Sequence, residues 1–233
     1  MYKNKRILAL IPARGGSKGL PGKNTLSFHR KPLIAHSISQ AFKSKYLDKV
    51  MVSTDSEKIA GVSRKHGACV PFLRPKSLAS SKSNMSDVVI HALNYLSRKG
   101  EEHDLILLLQ PTSPLRVSGD IDKAIELYFV KKASAVVSVC PCEHHPWLSA
   151  TLKQDLKIEK LLGKVHKNRQ ELPQYYRLNG AVFLIGVDIF KKAKTFLIKN
   201  SYAYVMPAER SVDIDSRLDF EFAELLAKKN YRK

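Results

Sequence analysis

Short runs of β-branched and other apolar residues alternate along this chain with longer segments of helical period. The clearest short runs are Ile7 to Ile11, Leu105 to Leu109 and Ala135 to Val139, and the clearest helical segments are Pro32 to Lys43 and Asp87 to Arg98. This alternation is typical of βαβ units, in which helices connect parallel strands and cover the sheet. The sequence therefore predicts an α/β fold built on a mostly parallel sheet.

The remaining elements follow the same pattern on either side of an irregular segment. Further strands are predicted at Val50 to Ser53, Asn179 to Ile185 and Tyr202 to Met206, and further helices at Asp55 to His66 (capped by Asp55), Asp120 to Lys131 and Ser216 to Lys228. Between Cys140 and Gln174, prolines, histidines and charged residues predict an inserted arm within a single domain spanning residues 1–233. Because ligands bind beyond the carboxyl ends of strands in such sheets, the loops after residues 11, 53 and 110 are expected to share one crevice.

The formal net charge of +19, from 40 basic and 21 acidic residues, favours anionic partners. A nucleic-acid-binding module is one possible class, but the basic residues are spread along the chain and no nucleic-acid motif is present. No apolar run approaches the roughly 18 residues of a membrane span, and the first run enters Pro12 without a signal-peptide cleavage site. The three cysteines form no disulfide framework. We therefore expect a soluble, cytoplasmic protein that binds neither nucleic acid nor membrane.

The segment from Ala13 to Asn24, ARGGSKGLPGKN, follows the first strand and carries four glycines and three cationic side chains. Glycines allow backbone N–H groups to turn toward an anion, and Arg14, Lys18 and Lys23 supply positive charge for a triphosphate. The spacing matches neither the Walker A motif nor G-x-G-x-x-G, and Asn24 stands where Walker A has Ser or Thr. A plain basic loop is the alternative, but glycines and cations after a buried strand favour a nucleoside triphosphate site.

Two segments carry candidate metal ligands. Asp213 and Asp215 are alternate residues of an extended segment and share a face, which suits Mg²⁺ held by carboxylates and substrate phosphates. The alternative is that one of them caps the helix beginning near Ser216. The segment from Cys140 to His145 invites a zinc interpretation, but no second ligand pair lies at structural-zinc spacing.

Five segments, in order, resemble the motifs of the acylneuraminate cytidylyltransferase (CMP-sialic acid synthetase) family. They are Ile11 to Asn24, Arg74-Pro75 with Leu78-Ala79, Leu109 to Arg116, Arg169 to Gln174 with Asn179-Gly180-Ala181, and Asp213 to Asp215. The resemblance covers nearly the whole chain. It implies a Rossmann-like nucleotidyltransferase sheet, with residues 140–174 as an arm through which two copies form a homodimer.

The resemblance also implies roles for individual residues. The implied CTP-binding residues are Arg14, Gly15, Gly16, Ser17, Lys18, Lys23, Asn24, Arg74 and Asn84. Asn84 stands roughly where a small hydroxyl residue helps to read cytosine. The implied sugar-binding residues are Gln110, Thr112, Ser113, Arg116, Arg169 and Asn179. Asp213 and Asp215 would hold Mg²⁺, and Arg14, Lys23 and Asp215 would carry catalysis, because departing pyrophosphate needs fixed positive charge.

The implied reaction transfers CMP from CTP to the anomeric hydroxyl of an acidic nonulosonic sugar, such as sialic acid or legionaminate, and releases pyrophosphate. Pseudaminate and 3-deoxy-manno-octulosonate are alternative acceptors, and a nonenzymatic nucleotide or nucleic-acid binder is an alternative of a different class. Two positions depart from the family pattern. Ser81 stands where an Asp is usual, and Leu148 stands where some sialic acid enzymes have Lys, which leaves the substituents of the sugar open.

Overall fold

A computed structural model of the chain describes residues 1–17, 19–80, 83–163 and 172–230. Within these ranges the strands are β1 Ile7–Pro12, β2 Ser27–Phe28, β3 Lys31–Pro32, β4 Lys49–Ser53, β5 Leu105–Leu108, β6 Ala135–Pro141, β7 Ala150–Leu152, β8 Ile158–Leu161, β9 Tyr176–Gly186 and β10 Ser201–Val205. The helices are α1 Leu33–Lys43, α2 Glu57–Lys65, α3 Met85–Arg98, α4 Ser118–Val130, α5 Val187–Ala193 and α6 Arg217–Asn230. The strands and helices predicted from the sequence are all present, with ends shifted by a few residues.

Six strands form the central sheet, in the order β10-β6-β9-β5-β1-β4. β1 pairs in parallel with β4 and β5, and β10 pairs in parallel with β6. β9 runs antiparallel to both of its neighbours, β5 and β6. The predicted α/β class with a mostly parallel sheet is therefore confirmed. The chain passes from β1 to β4 on one side and then to β5 on the other, so the carboxyl ends of β1 and β5 flank a crevice.

Helices cover both faces of this sheet, as the alternating side chains of β1 require. Ile7, Ala9 and Ile11 point to the face covered by α1, α2 and α4, whereas Leu8 and Leu10 point to the face covered by α3 and α5. A third apolar cluster joins α6 to the segment after β1. In the described part of the chain, no helix has the length and apolar character that crossing a membrane requires.

Two local features differ from the sequence expectations. Ser56, not Asp55, caps α2, because the Ser56 hydroxyl accepts the N–H of Ile59 at 3.4 Å. The Asp55 carboxylate instead accepts the N–H of Gly15. Asp and Ser are comparably good caps, so two adjacent candidates could not be ranked from sequence. The seven-residue helix α5 was not predicted, because it is too short to establish a helical period.

The arm predicted at residues 140–174 is described up to residue 163 and again from residue 172. β7 and β8 pair with each other as an antiparallel hairpin separate from the central sheet. Cys140 and Pro141 at the end of β6 pair with Arg177 and Tyr176 at the start of β9, so these strand ends form the base of the arm. The hairpin is exposed along both of its strands.

Candidate active site

A cavity of about 290 Å³ opens at the carboxyl ends of β1 and β5. It is lined by Pro12, Arg14, Lys23, Asn24, Arg74, Leu78, Ser80, Ser83, Met85, Val88, Gln110, Pro111, Thr112 and Asp215. The loops after residues 11 and 110 share this cavity, as expected. The loop after residue 53 does not line it, but accepts hydrogen bonds from the loop after β1.

The loop after β1 is fixed at several points by its own backbone. The N–H of Ala13 donates to the carbonyl of Ser53 at 2.9 Å, and the N–H of Gly15 donates to Asp55 Oδ1 at 2.9 Å. Further along, the buried Asn24 donates its side-chain amide to the carbonyl of Arg14 at 3.1 Å. A β-carbon at position 19 would collide with the carbonyl oxygen of Asp215, so only glycine allows the loop to pack against that segment.

Two cations of this loop line the cavity and are held by different segments of the chain. Arg14 Nη1 donates to the carbonyl of Ser80 at 3.1 Å. Lys23 Nζ donates to the carbonyl of Ile214 at 2.7 Å and to Asp215 Oδ1 at 2.8 Å. Lys23 is thereby held at the mouth of the cavity with its positive charge only partly neutralised, since the Asp215 side chain is 80% exposed.

Arg74 brings a buried guanidinium to the same cavity. Its Nη2 lies 3.8 Å from Asp55 Oδ1, and its Nε has no hydrogen-bond partner among the described residues. Burial lowers the pKa of Arg74, and the Asp55 carboxylate opposes this effect. A buried cation with an unused donor is suited to an anionic or strongly accepting group of a ligand.

The wall formed by the segment before α3 and its first turns is mainly apolar, with hydroxyl groups among the apolar side chains. Leu78, Met85 and Val88 supply the apolar surface, and Ser80 and Ser83 hydrogen-bond to each other at 2.9 Å. Sequence reasoning missed both serines, although serines just before a predicted helix were a signal for polar groups at a helix start. A flat base ring fits against a surface of this kind.

Asn84, which the resemblance places near the base, is not among the lining residues. It caps α3, and its Oδ1 accepts the N–H of Ser86 at 3.1 Å and the hydroxyl of Ser86 at 3.0 Å. Its neighbours Ser83 and Met85 do line the cavity. The structure therefore places Asn84 beside the site with its side-chain oxygen already engaged.

Gln110 and Thr112 follow β5 and lie on the cavity wall, as expected. A β-carbon at Gly180, where φ is +73°, would collide with Gln110 Oε1, so this glycine allows β9 to approach the Gln110 side chain closely. The carbonyl of Thr112 accepts the N–H of Ile214 at 2.9 Å. This bond joins the turn after β5 to the segment that carries both aspartates.

Ser113 and Arg116 are buried behind this wall and are not brought into the cavity. The Ser113 hydroxyl donates to the carbonyl of Asn179 at 3.3 Å. Arg116 Nη1 donates to the carbonyl of Ala181 at 2.8 Å and to the carbonyl of Gln110 at 3.3 Å. Its Nη2 donates to the hydroxyl of Ser37 at 2.6 Å. Complete burial lowers the pKa of Arg116 to about 10. Arg116 thus supports the Gln110 backbone from the far side.

Asn179 is also buried, and its amide is bonded to the protein on both sides. Its Oδ1 accepts the hydroxyl of Ser138 at 2.6 Å and the N–H of Ala181 at 3.2 Å. Its Nδ2 donates to Ser211 Oγ at 2.9 Å and contacts Met206 Sδ at 3.3 Å. This network joins β6, β9 and the segment after β10 beneath the cavity.

The two aspartates sit in different surroundings. Asp215 is exposed at the cavity mouth and pairs with Lys23, whereas Asp213 is partly buried and its Oδ1 has no hydrogen-bond partner in the part of the chain that the structure describes. Burial raises the pKa of Asp213, and the Thr112 side chain opposes this effect. Neither carboxylate caps α6, because Asp219 accepts the N–H groups of Asp215 and Ser216. Neither carboxylate is therefore used as a helix cap, although Asp215 Oδ1 is engaged by Lys23 and Asp213 is not among the residues that line the cavity.

Other residues implied by the resemblance lie beside the cavity or cannot be placed. Gly15, Gly16 and Ser17 belong to the loop after β1 but are not among the lining residues. Lys18 and Arg169 lie outside the described residues.

The cysteine and histidine segment engages protein groups instead of forming a metal-ligand cluster. Glu143 pairs with Arg177 at 2.8 Å, and His145 contacts the carbonyl of Pro173 and accepts the N–H of Trp147. Burial raises the pKa of the Cys140 thiol. Within the ranges that the structure describes, no three His, Cys, Asp or Glu side chains come together as ligands for one ion.

The sequence matches the profile of a family described as Cytidylyltransferase over residues 8–230. It is 37% identical to the N-acylneuraminate cytidylyltransferase of Escherichia coli O18:K1:H7, over 97% of this chain and 53% of that protein. It is 38% identical to the CMP-N,N'-diacetyllegionaminic acid synthase of Legionella pneumophila, over 97% of each chain. It is 32% identical to a pseudaminic acid cytidylyltransferase of Campylobacter jejuni, over 96% of this chain and 97% of that protein. The chain thus spans about half the length of the E. coli relative and nearly all of the other two.

The fold is similar to that of a solved structure of CMP:2-keto-3-deoxy-manno-octonic acid synthetase complexed with CTP. The TM-score is 0.73 over 97% of this chain and 99% of that chain, at 15% sequence identity. At this identity the similarity concerns the fold alone, and the expected Rossmann-like nucleotidyltransferase sheet is confirmed.

Proposed function

Because the chain belongs to the cytidylyltransferase family, we propose that it transfers CMP from CTP to the anomeric hydroxyl of an acidic nonulosonic sugar. The observation that carries this proposal is the convergence of Arg14, Lys23 and Arg74 on one cavity that also has an apolar wall. Cations suit the triphosphate and the sugar carboxylate, and the apolar wall suits the base. The reaction gives the CMP-sugar and pyrophosphate.

The chemistry is a single displacement at the α-phosphorus. The anomeric oxygen of the sugar forms a bond to this phosphorus, and the bond to the oxygen bridging the α- and β-phosphorus breaks. The hydroxyl proton passes from the sugar oxygen to solvent water. Negative charge grows on the pyrophosphate as it departs, and fixed cations stabilise that charge. We assign this role to Arg14 and Lys23, whose positions are set by Ser80 and Ile214.

The sugar is proposed to bind beside Gln110 and Thr112, on the wall opposite the segment before α3. Sialic acid and legionaminic acid relatives are about equally similar to this chain, and the pseudaminic acid relative is somewhat less similar. We therefore propose sialic acid or a relative such as legionaminate as the acceptor, with pseudaminate or 3-deoxy-manno-octulosonate as the alternative.

Mg²⁺ is the proposed cofactor, and the residues present fit it. The buried Asp213 Oδ1 lacks a hydrogen-bond partner among the residues that the structure describes, and Asp215 adds a second carboxylate two residues away. Mg²⁺ binds such oxygen ligands and completes its coordination with water and substrate phosphates. When bound, the ion would polarise the α-phosphate.

A homodimer formed through the arm is also proposed. Leu152, Leu156, Ile158 and Leu161 of the β7–β8 hairpin are between 49% and 77% exposed. A lone two-stranded hairpin is only marginally stable in water, and contiguous exposed apolar side chains mark interaction surfaces. A second copy that covers the hairpin would stabilise it.

A cytoplasmic location is proposed on the basis of the cysteines. Cys69, Cys140 and Cys142 are all free thiols, and Cys140 is buried. Free thiols persist in reducing compartments, whereas secreted proteins usually pair them.

The test is pyrophosphate release with CTP, Mg²⁺ and a panel of nonulosonic acids. ATP, GTP and UTP serve as controls for the base, and Lys23→Gln serves as a control for the site. We expect a signal that requires CTP and one sugar, and that Lys23→Gln lowers by about a hundredfold through loss of a fixed charge at the leaving group. Absence of CTP-dependent release with every sugar would contradict the proposal.

A further inference from the structure

Asp55, which appears in none of the binding roles above, contacts both the loop after β1 and the cavity residue Arg74. It lies just beyond the carboxyl end of β4, beside the point where β1 leaves the sheet. Its Oδ1 accepts the N–H of Gly15 at 2.9 Å. A β-carbon at Gly15 would come within 3.6 Å of Asp55 Oδ2 and 3.2 Å of the Ser56 β-carbon, so the loop packs closely against this carboxylate.

The same Asp55 oxygen faces Arg74. The distance from Oδ1 to Arg74 Nη2 is 3.8 Å, and the two side chains are 22% and 3% exposed, respectively. The backbone N–H of Arg74 donates to the carbonyl of Thr54 at 2.7 Å, so the residue before Asp55 also holds this arginine. Within the described ranges the Arg74 Nε has no partner, so the ion pair orients the guanidinium and leaves this donor unused.

We propose that Asp55 is a positioning residue of the nucleotide site. It holds the loop after β1 and Arg74 at a fixed separation. This inference rests on the proposed function, because it assigns Asp55 a part in CTP binding. Asp55 is not among the residues that line the cavity, so it acts through Gly15 and Arg74.

Removal of Asp55 has two separable consequences. The Gly15 N–H loses its acceptor, so the loop loses an anchor on the β4 side. Arg74 loses the one carboxylate within 4 Å of it in the described part of the chain, and the positive charge of Arg14 nearby is then unopposed. Two arginines that repel each other in the empty site are less well organised for a triphosphate.

Two variants separate these consequences. Asp55→Ala removes both the acceptor and the charge, whereas Asp55→Asn keeps an oxygen acceptor for Gly15 and removes the charge. The readouts are hydrogen exchange of the Gly15 amide without ligand, the Kd for CTP by calorimetry, and the kcat and KM for CTP. Glu57→Gln is the matched control, because it removes an exposed carboxylate two residues away that pairs with Arg64.

For Asp55→Ala we expect faster exchange at Gly15 and a CTP Kd raised about tenfold, the effect of losing a charge-assisted hydrogen bond and an ion pair. For Asp55→Asn we expect Gly15 protection close to that of the unchanged protein and a CTP Kd raised about threefold, since only the charge is lost. KM should rise more than kcat falls in both variants, and Glu57→Gln should change none of these values.

Unchanged Gly15 exchange in Asp55→Ala, or an unchanged CTP Kd in both variants, would overturn the proposal. If the wild-type protein binds no CTP, the proposed function fails, and with it the role of Asp55 in nucleotide binding. The exchange comparison would still report whether Asp55 holds the loop, so the two failures are distinguishable.

Discussion

At the scale of single residues, the pair formed by Lys23 and Asp215 joins the two charges that the proposed chemistry needs. Lys23 keeps a second bond to the Ile214 carbonyl, so it stays in place when Asp215 is removed. We therefore expect Asp215→Ala to lower turnover at least about a hundredfold and to change the CTP Kd less than about threefold, because a transition-state contact is lost and ground-state contacts remain. Single-turnover kinetics and calorimetry measure the two quantities.

Glu221→Gln is the matched control for Asp215→Ala. It removes an exposed carboxylate of α6 that pairs with Arg217, so it makes the same change in net charge away from the cavity. Turnover should be unchanged. Turnover that is also unchanged in Asp215→Ala would remove Asp215 from the proposed metal site.

Asn179 gives a second residue-scale prediction, because its buried amide bonds to Ser138 and Ser211. Asn179→Ala removes one buried hydrogen bond from each of these hydroxyls, which keep their bonds to Val182 and Pro207, and we expect the free energy of unfolding to fall by about 1–3 kcal/mol. Urea denaturation measures this change. Asn200→Ala is the control, since Asn200 makes its hydrogen bonds at the surface and should lose much less.

A different result would support the sugar-binding role that the family resemblance implies for Asn179. Unchanged stability in Asn179→Ala, with a raised KM for the sugar, would place this side chain in the sugar site.

Residue type and position along a strand were enough to predict part of the site. Arg14, Lys23 and Gln110 follow the carboxyl ends of β1 and β5, and parallel strands bring such residues together. The sequence did not reveal that the side chains of Arg116 and Asn179 lie beneath the cavity and not in it. The direction in which each of these side chains points depends on the residues packed behind the cavity wall, and tertiary packing decides which residues those are.

At the scale of secondary-structure elements, the β7–β8 hairpin forms a sheet of its own and is exposed along both strands. Ile158→Lys places a charge among its exposed apolar side chains. If a second copy covers this surface, the charge is buried at the interface, and we expect the dimer Kd to rise at least about tenfold, since an unpaired buried charge is costly. Analytical ultracentrifugation over a range of concentrations measures the change.

Thr151→Lys adds the same charge to the same hairpin at a polar position, opposite Lys160. It should weaken the dimer much less than Ile158→Lys. A monomer in the unchanged protein at all concentrations would contradict the proposed arm-mediated dimer.

The elements of the central sheet were predictable because each buries an apolar face against a helix layer, which leaves a period in the sequence. The hairpin leaves no such signal, since its strands of three and four residues are exposed throughout. α5 also leaves no hydrophobic period in the sequence, because its seven residues bury only Val187 and Phe190. Elements that gain their order from contacts at a few points cannot be read from periodicity.

At the scale of the whole molecule, three partly or fully buried histidines make stability depend on pH. Burial lowers the pKa of His36, His91 and His103 below the ordinary value of 6.5. The unfolded chain then takes up protons more readily than the folded protein as the pH falls below 6.5. Protonation therefore favours unfolding, and each histidine contributes a slope of up to about 1.4 kcal/mol per pH unit between 6.5 and its folded pKa.

His103 is buried, and among the described residues neither of its ring nitrogens has a hydrogen-bond partner. The charges of Arg6 and Lys49 add to the effect of burial on its pKa, whereas the carboxylates of Glu101 and Asp48 oppose it. We expect His103→Leu to lose less stability than the unchanged protein between pH 7.5 and 5, measured by urea denaturation at each pH. This range stays above the titration of Asp104, whose pKa is lowered by its hydrogen bond from Lys5. Equal slopes in His103→Leu and the unchanged protein would show that His103 does not couple proton binding to unfolding.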